Sequence, residues 1–270
     1  MKTADVRGVC NSSWMVLCLI VVLSLAWDPA RAARGFACGD IVVDDLRLET
    51  DLTCNGPGLI VGADGVRVNL NGHVIAGNGT SNGIDVANRS DVSIYGGTIR
   101  GFFAGVRAMN STNIDIKNMR LEGNTDGVDL QAGSVGISIK DNEFAGNLTR
   151  GVMMRGSTTE VEVKSNTFSG NRVGILLFAT VGAEVKDNVI SGSLLAGIRI
   201  NQPTTGNLLA GNTLVSNPAG IEFLIVAGSG STGNTLVDNQ LVTNGCGFKG
   251  PLTGNTLKNN VLTGNTTDVC

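Results

Sequence analysis

Asp85, Arg107, Asp129, Arg155 and Arg199 recur at matching places in a repeated segment, and they could handle charged or hydroxyl-rich ligands. Guanidinium groups neutralise a carboxylate, while carboxylates hold hydroxyls, a cation or a proton. The candidates for proton chemistry are Asp85, Arg107, Asp129 and Arg155. The candidates for binding are Arg107, Asp129, Met153, Arg155, Leu176, Phe178 and Arg199. Met153, Leu176 and Phe178 predict a small exposed apolar patch, suited to a sugar, a partner or a loop. The same charges also suit a plain surface ladder. Asp85, Arg107 and Asp129 alternate in sign, which avoids stacking like charges and contributes only about 0–1 kcal/mol per exposed pair.

The element that must carry them is a short strand, repeated. Opening glycines fall at Gly58, Gly83, Gly105, Gly127, Gly151, Gly174, Gly197, Gly220 and Gly247, in steps of 22 to 27 residues. Such a period, with no helical 3.6 spacing, predicts an all-β solenoid of about nine coils. The residue after each glycine is apolar from Leu59 to Phe248. A second apolar column runs from Ile75 to Leu262. A third takes Val68, Val92, Ile114, Ile137, Val161 and Ala183. Each column should cross the core with members about 4.8 Å apart, the strand spacing. The residue two after each glycine should then point outward: Ile60, Asp85, Arg107, Asp129, Met153, Leu176, Arg199, Glu222 and Lys249. The next outward slot holds Met109, Gln131, Arg155, Phe178 and Asn201. Asparagine columns, Asn142 to Asn260 and Asn78 to Asn265, mark bends and offer amide ladders.

These repeats resemble the single-stranded right-handed parallel β-helix of the pectate-lyase-like superfamily, over about Cys38 to Cys270. The stretch CGDIVVDDLRLETDLTC resembles the opening of secreted bacterial β-helix proteins. The repeat GNxFxxNxxG resembles the group holding the periplasmic copper-enzyme maturation β-helix and the mannuronan epimerases. The resemblance implies a polysaccharide groove on the first strand face. A lyase or uronate epimerase there would need a neutralised carboxylate, a base beside it and a proton donor. The Asp-Pro-His-Asp signature of the mannuronan epimerases is missing. With one histidine and no histidine–methionine cluster, copper binding is not expected.

The chain begins like an exported protein. Residues 1–32 read as a signal peptide, with WMVLCLIVVLSLAW as the apolar run and Ala30-Arg31-Ala32 as the cleavage site. The run is short for a membrane span, so none is expected after cleavage. Residues 33–57 read as an N-terminal cap and 58–270 as the β-helix. The formal charge of −3 becomes −4 after cleavage, with 17 basic against 21 acidic residues. This argues against a nucleic-acid partner. The expected location is secreted or periplasmic, where the four remaining cysteines allow three pairings, of which Cys38–Cys54 with Cys246–Cys270 is favoured. The acidic cap residues Asp44, Asp45, Glu49 and Asp51 read as a solvated edge. They leave calcium as a weak possibility, and no other metal or cofactor is expected.

His73 occupies a slot that later coils fill with asparagine and reads as a bend residue with a satisfied hydrogen bond. The pairs Asp115/Lys117, Ser138/Lys140, Glu162/Lys164 and Glu184/Lys186 form a mixed stripe that reads as a solubilising face. Leu224 to Gly233 is the longest departure from the repeat and the candidate groove wall. The reading favours a polysaccharide-binding module, with a lyase or uronate epimerase on the same face as the alternative.

Overall fold

The computed structural model describes residues 35–156, 158–201, 203–224 and 230–270. The expected signal peptide lies outside the described residues, as do residues 225–229 of the Leu224–Gly233 departure. The described residues contain strands and no helix, and the strands stack in parallel as a β-solenoid. One sheet has eleven strands, running from Ile41–Val42 through Asp126–Leu130 to Thr267–Val269. The remaining strands form the other walls of the coil. The cap is a short turn of the same solenoid, since Ile41, Leu46 and Leu52 pair with Ile60, Val68 and Ile75.

The glycine column explains why each coil starts where it does. A Cβ on Gly151 would lie 2.5 Å from the Phe168 ring and 2.7 Å from the Gly174 carbonyl oxygen. Only a residue without a side chain lets successive backbones come this close. The glycine and the residue after it both face the core. Strict alternation therefore breaks at this point, and the residue before the glycine turns outward.

The first two apolar columns follow the register. Val106, Val128, Val152 and Ile175 are partners in successive strands, as are Leu121, Phe144, Phe168 and Ile190. Phe144 and Phe168 stack with ring centroids 4.6 Å apart. The third column needs correction. Val68 is the partner of Leu46 and Ile94, so it belongs to a separate buried column that continues through Ile116, Ile139 and Val163. Two inward residues per coil, rather than one, line this wall.

The asparagines form amide ladders. The Asn142 backbone N–H and Nδ2 both donate to Asn166 Oδ1, at 2.9 and 3.1 Å, and Asn166 does the same to Asn188. The second ladder runs through Asn124, Asn147 and Asn171. It meets Ser193, whose buried hydroxyl has no partner, and resumes at Asn217. A third ladder, Asn207–Asn234–Asn255, is not evident from the glycine spacing. Asn78 stays outside the ladders and donates to the Asn55 carbonyl. Both ends are pinned as expected, by Cys38–Cys54 and Cys246–Cys270, with Cα atoms 5.5 and 6.2 Å apart.

Candidate functional site

The first sheet brings the predicted outward column together. Asp85, Arg107, Asp129, Met153, Leu176, Arg199, Glu222 and Lys249 are register partners on consecutive strands. Their pairing differs from a simple alternation. Arg107 turns back to Asp85, with Nε to Oδ1 at 3.0 Å and Nη2 to Oδ2 at 2.7 Å. Arg155 reaches across one coil to Asp129, with both contacts at 2.9 Å. Gln131 Nε2 adds a third donor to Asp129 at 2.8 Å. Arg199 holds Glu222, Nε to Oε2 at 2.6 Å, and Lys249 Nζ lies 3.0 Å from its other oxygen.

Arg107 and Arg155 share one geometry, meeting both oxygens of their carboxylates side-on through Nε and Nη2. Arg199 brings Nε and Nη2 to the single oxygen Oε2 of Glu222. Asp129 and Glu222 lie beneath their cations, whereas Asp85 is 19% exposed beside Arg107. Asp129 and Glu222 are 0% and 4% exposed, while Arg107, Arg155 and Arg199 keep 28%, 38% and 20%. The face therefore presents the remaining guanidinium edge to solvent, held in place by a carboxylate.

Two residues of this face were missed by the alternation. Asp126 and Arg150 precede their glycines, and Arg150 Nη1 contacts both Asp126 oxygens, at 3.0 and 3.2 Å. Burial pushes the Asp126 carboxyl above its ordinary value. Arg150 pulls it down, and the neighbouring Asp129 charge adds to the rise. The signal that would have found them is the slot itself, since the glycine's close packing reverses the facing of its predecessor. Glu222 and Lys249 were visible in the outward column, but nothing in the sequence joined them to Arg199.

Two of the three residues of the expected apolar patch are buried, and Phe178 is partly exposed. Met153 and Leu176 are 5% and 6% exposed and form a separate small cluster with Val173, against which Phe178 and Leu195 pack. Adjacent strands bring these side chains together closely enough to cover one another. His73 makes its expected hydrogen bond, Nδ1 to Asp51 Oδ1 at 3.0 Å. Asp51 also accepts the Val74 N–H at 3.0 Å, and these two contacts hold its carboxyl below the ordinary value. A shallow groove of about 670 Å³, lined in part by Gly97, Arg120 and Glu143, lies on another side of the coil and contains none of the predicted site residues.

A family model described as periplasmic copper-binding protein (NosD) matches residues 66–249, more than half of the chain. The chain belongs to this family. No curated protein matches it. Among solved structures, a mutant of the periplasmic alginate epimerase AlgG is similar with TM-score 0.62 and 13% identity, covering 81% of this chain and 73% of that one. A mutant tailspike protein of E. coli bacteriophage HK620, in complex with a pentasaccharide, is similar with TM-score 0.60 and 10% identity, covering 85% and 52%. At these identities the likeness shows the parallel β-helix fold alone. Family membership and two disulfides place the chain outside the cytoplasm. No helix among the described residues is long and apolar enough to cross a membrane.

The donors a copper ion needs are not assembled in this member of the NosD family. Its single histidine is bonded to Asp51, and the four described cysteines are disulfides rather than thiolates. Among the described residues no three His, Cys, Asp or Glu side chains are grouped to hold a metal. In the cap, Asp45 and Asp51 accept the backbone N–H groups of Arg67 and Val74.

Proposed function

We propose that the outward face of the first sheet binds a polysaccharide laid across its strands, in the periplasm or after secretion. The supporting observation is the set of three partly exposed guanidiniums, each held by a carboxylate that is buried for Arg155 and Arg199 and part-buried for Arg107. Anchored arginines lose little freedom when a ligand arrives, so their donors are ready for sugar hydroxyls or carboxylates. The Asp85 and Glu222 strands are six strand spacings apart, about 29 Å, which suits a chain of sugars rather than a single one. The fold neighbours lend support by analogy: one is an alginate epimerase, and one is complexed with a pentasaccharide.

The test is retention of the oxidised protein in affinity gels cast with neutral and uronide-rich polymers. Binding is expected to at least one polymer and to weaken in Arg107→Gln and Arg155→Gln. A folded protein retained by no polymer would sink this reading. The second reading, a lyase or uronate epimerase, draws on Asp126, whose carboxyl burial pushes above its ordinary value beside Arg150 and Arg155. Ultraviolet absorbance of unsaturated products, or a change in uronate stereochemistry, would establish it.

A further inference from the structure

The three charged clusters of this face differ in their balance. Asp85 with Arg107 is one acid and one cation. Asp126 and Asp129 with Arg150 and Arg155 are two and two. Glu222 is one acid shared by two cations, Arg199 and Lys249. We propose that this last cluster is a subsite for an anionic group, so that the ligand is an acidic polysaccharide. This rests on the polysaccharide reading above and adds the chemical class and the place where it is read.

The argument is one of charge and access. Arg199, Glu222 and Lys249 stand on three consecutive strands in register. Both oxygens of the buried Glu222 are engaged, Oε2 by Arg199 and Oε1 by Lys249. The acid thus fixes both cations and cancels only one of them. Lys249 is half-exposed and lies 3.0 Å from Glu222 Oε1 as an ion pair, and an ammonium has three N–H donors to offer. A uronate carboxylate or a sulfate ester would supply the second negative charge. It would meet one donor from Lys249 and the open edge of Arg199. A neutral hydroxyl would accept one hydrogen bond and leave the surplus charge unmatched. Glu222 stands four strand spacings from Asp129, about 19 Å, so one polymer would touch both clusters. The balanced clusters would take hydroxyls, and the surplus cluster would take the acid.

The experiment compares sodium alginate and polygalacturonate with the same polymers after chemical reduction of their carboxyl groups, using full-length oxidised protein and titration at low and moderate salt. The wild type is expected to bind an acidic polymer about tenfold or more tightly than its reduced form. Lys249→Gln should remove most of that preference, weakening the acidic polymer about tenfold and the reduced polymer by a clearly smaller factor. Glu222→Gln, nearly the same shape, should increase the preference by removing the competing acid. The subsite is overturned if the wild type binds both forms equally, or if Lys249→Gln weakens both by the same factor. Binding of neither form would overturn the polysaccharide reading, and the subsite with it. Binding of the reduced form alone would overturn only the subsite.

Discussion

Two walls of this coil carry alternating charges, and they use them differently. On the second wall Lys117, Lys140, Lys164 and Lys186 are register partners. Lys140 and Lys186 both reach Glu162, at 2.5 and 3.6 Å, while Lys117 pairs with Asp115 and Lys186 also with Glu184. Every side chain in those pairs is between 27% and 47% exposed. On the first sheet, Asp126, Asp129 and Glu222 are sealed beneath their arginines. The pairs look alike in sequence. One wall keeps water around both partners, and the other removes it from one of them. Only the second arrangement fixes a cation in direction, because a buried carboxylate must keep its partners.

The largest expected effect tests that contrast directly. Arg155→Ala strands the Asp129 carboxylate with Gln131 as its remaining side-chain donor, and it should cost about 3–5 kcal/mol in urea unfolding. A cost below about 1 kcal/mol would erase the distinction between the walls. Asn166→Ala asks whether burial matters as much for neutral groups. It leaves the Asn142 backbone N–H and one Nδ2 hydrogen without an acceptor, the other still reaching the Ile116 carbonyl, and removes the side-chain donor of the Ile139 carbonyl, at a cost of about 1–3 kcal/mol by the same assay.

A third prediction concerns pH. Asp126 holds its proton more tightly when folded, so its contribution to stability is full below its unfolded pKa and is lost as pH rises through the higher folded value. Asp126→Asn should therefore flatten the wild-type stability profile in the window just above the ordinary carboxylate value. Parallel profiles for the two proteins would contradict the burial argument. Glu162 provides the opposite sign. Lys140 and then the other lysines hold its carboxyl below the ordinary value, so its small contribution is lost on acidification. The smallest effect is expected on this wall. Lys140→Ala should change stability by about 0–1 kcal/mol, and less at high salt.

Much of the fold could be read in the chain because its signals repeat. The glycine column, two apolar columns and the asparagine bends each recur with one period, and a solenoid turns period directly into register. The site was legible in part. Asp85, Arg107, Asp129 and Arg199 were placed correctly on one outward line, since alternation around a strand is local. Asp126 and Arg150 were not, because close packing at the glycine reverses the facing of the preceding residue. Met153 and Leu176 lie where the patch was expected but are buried, since they pack with Val173, Phe178 and Leu195, contacts that alternation along one strand does not encode.

The sequence by itself determined the coil, the register of two apolar columns and the direction in which most side chains point, and it favoured the two disulfides that form. These follow from spacing along the chain. The tertiary structure decided which charge meets which. Asp129 has Arg107 and Met153 as register partners, and it is bound by Arg155 from the next coil. Glu222 gathers two cations from the strands on either side. Long side chains reach further than one strand spacing, so their partners are set by the space available above the sheet, which no single repeat encodes.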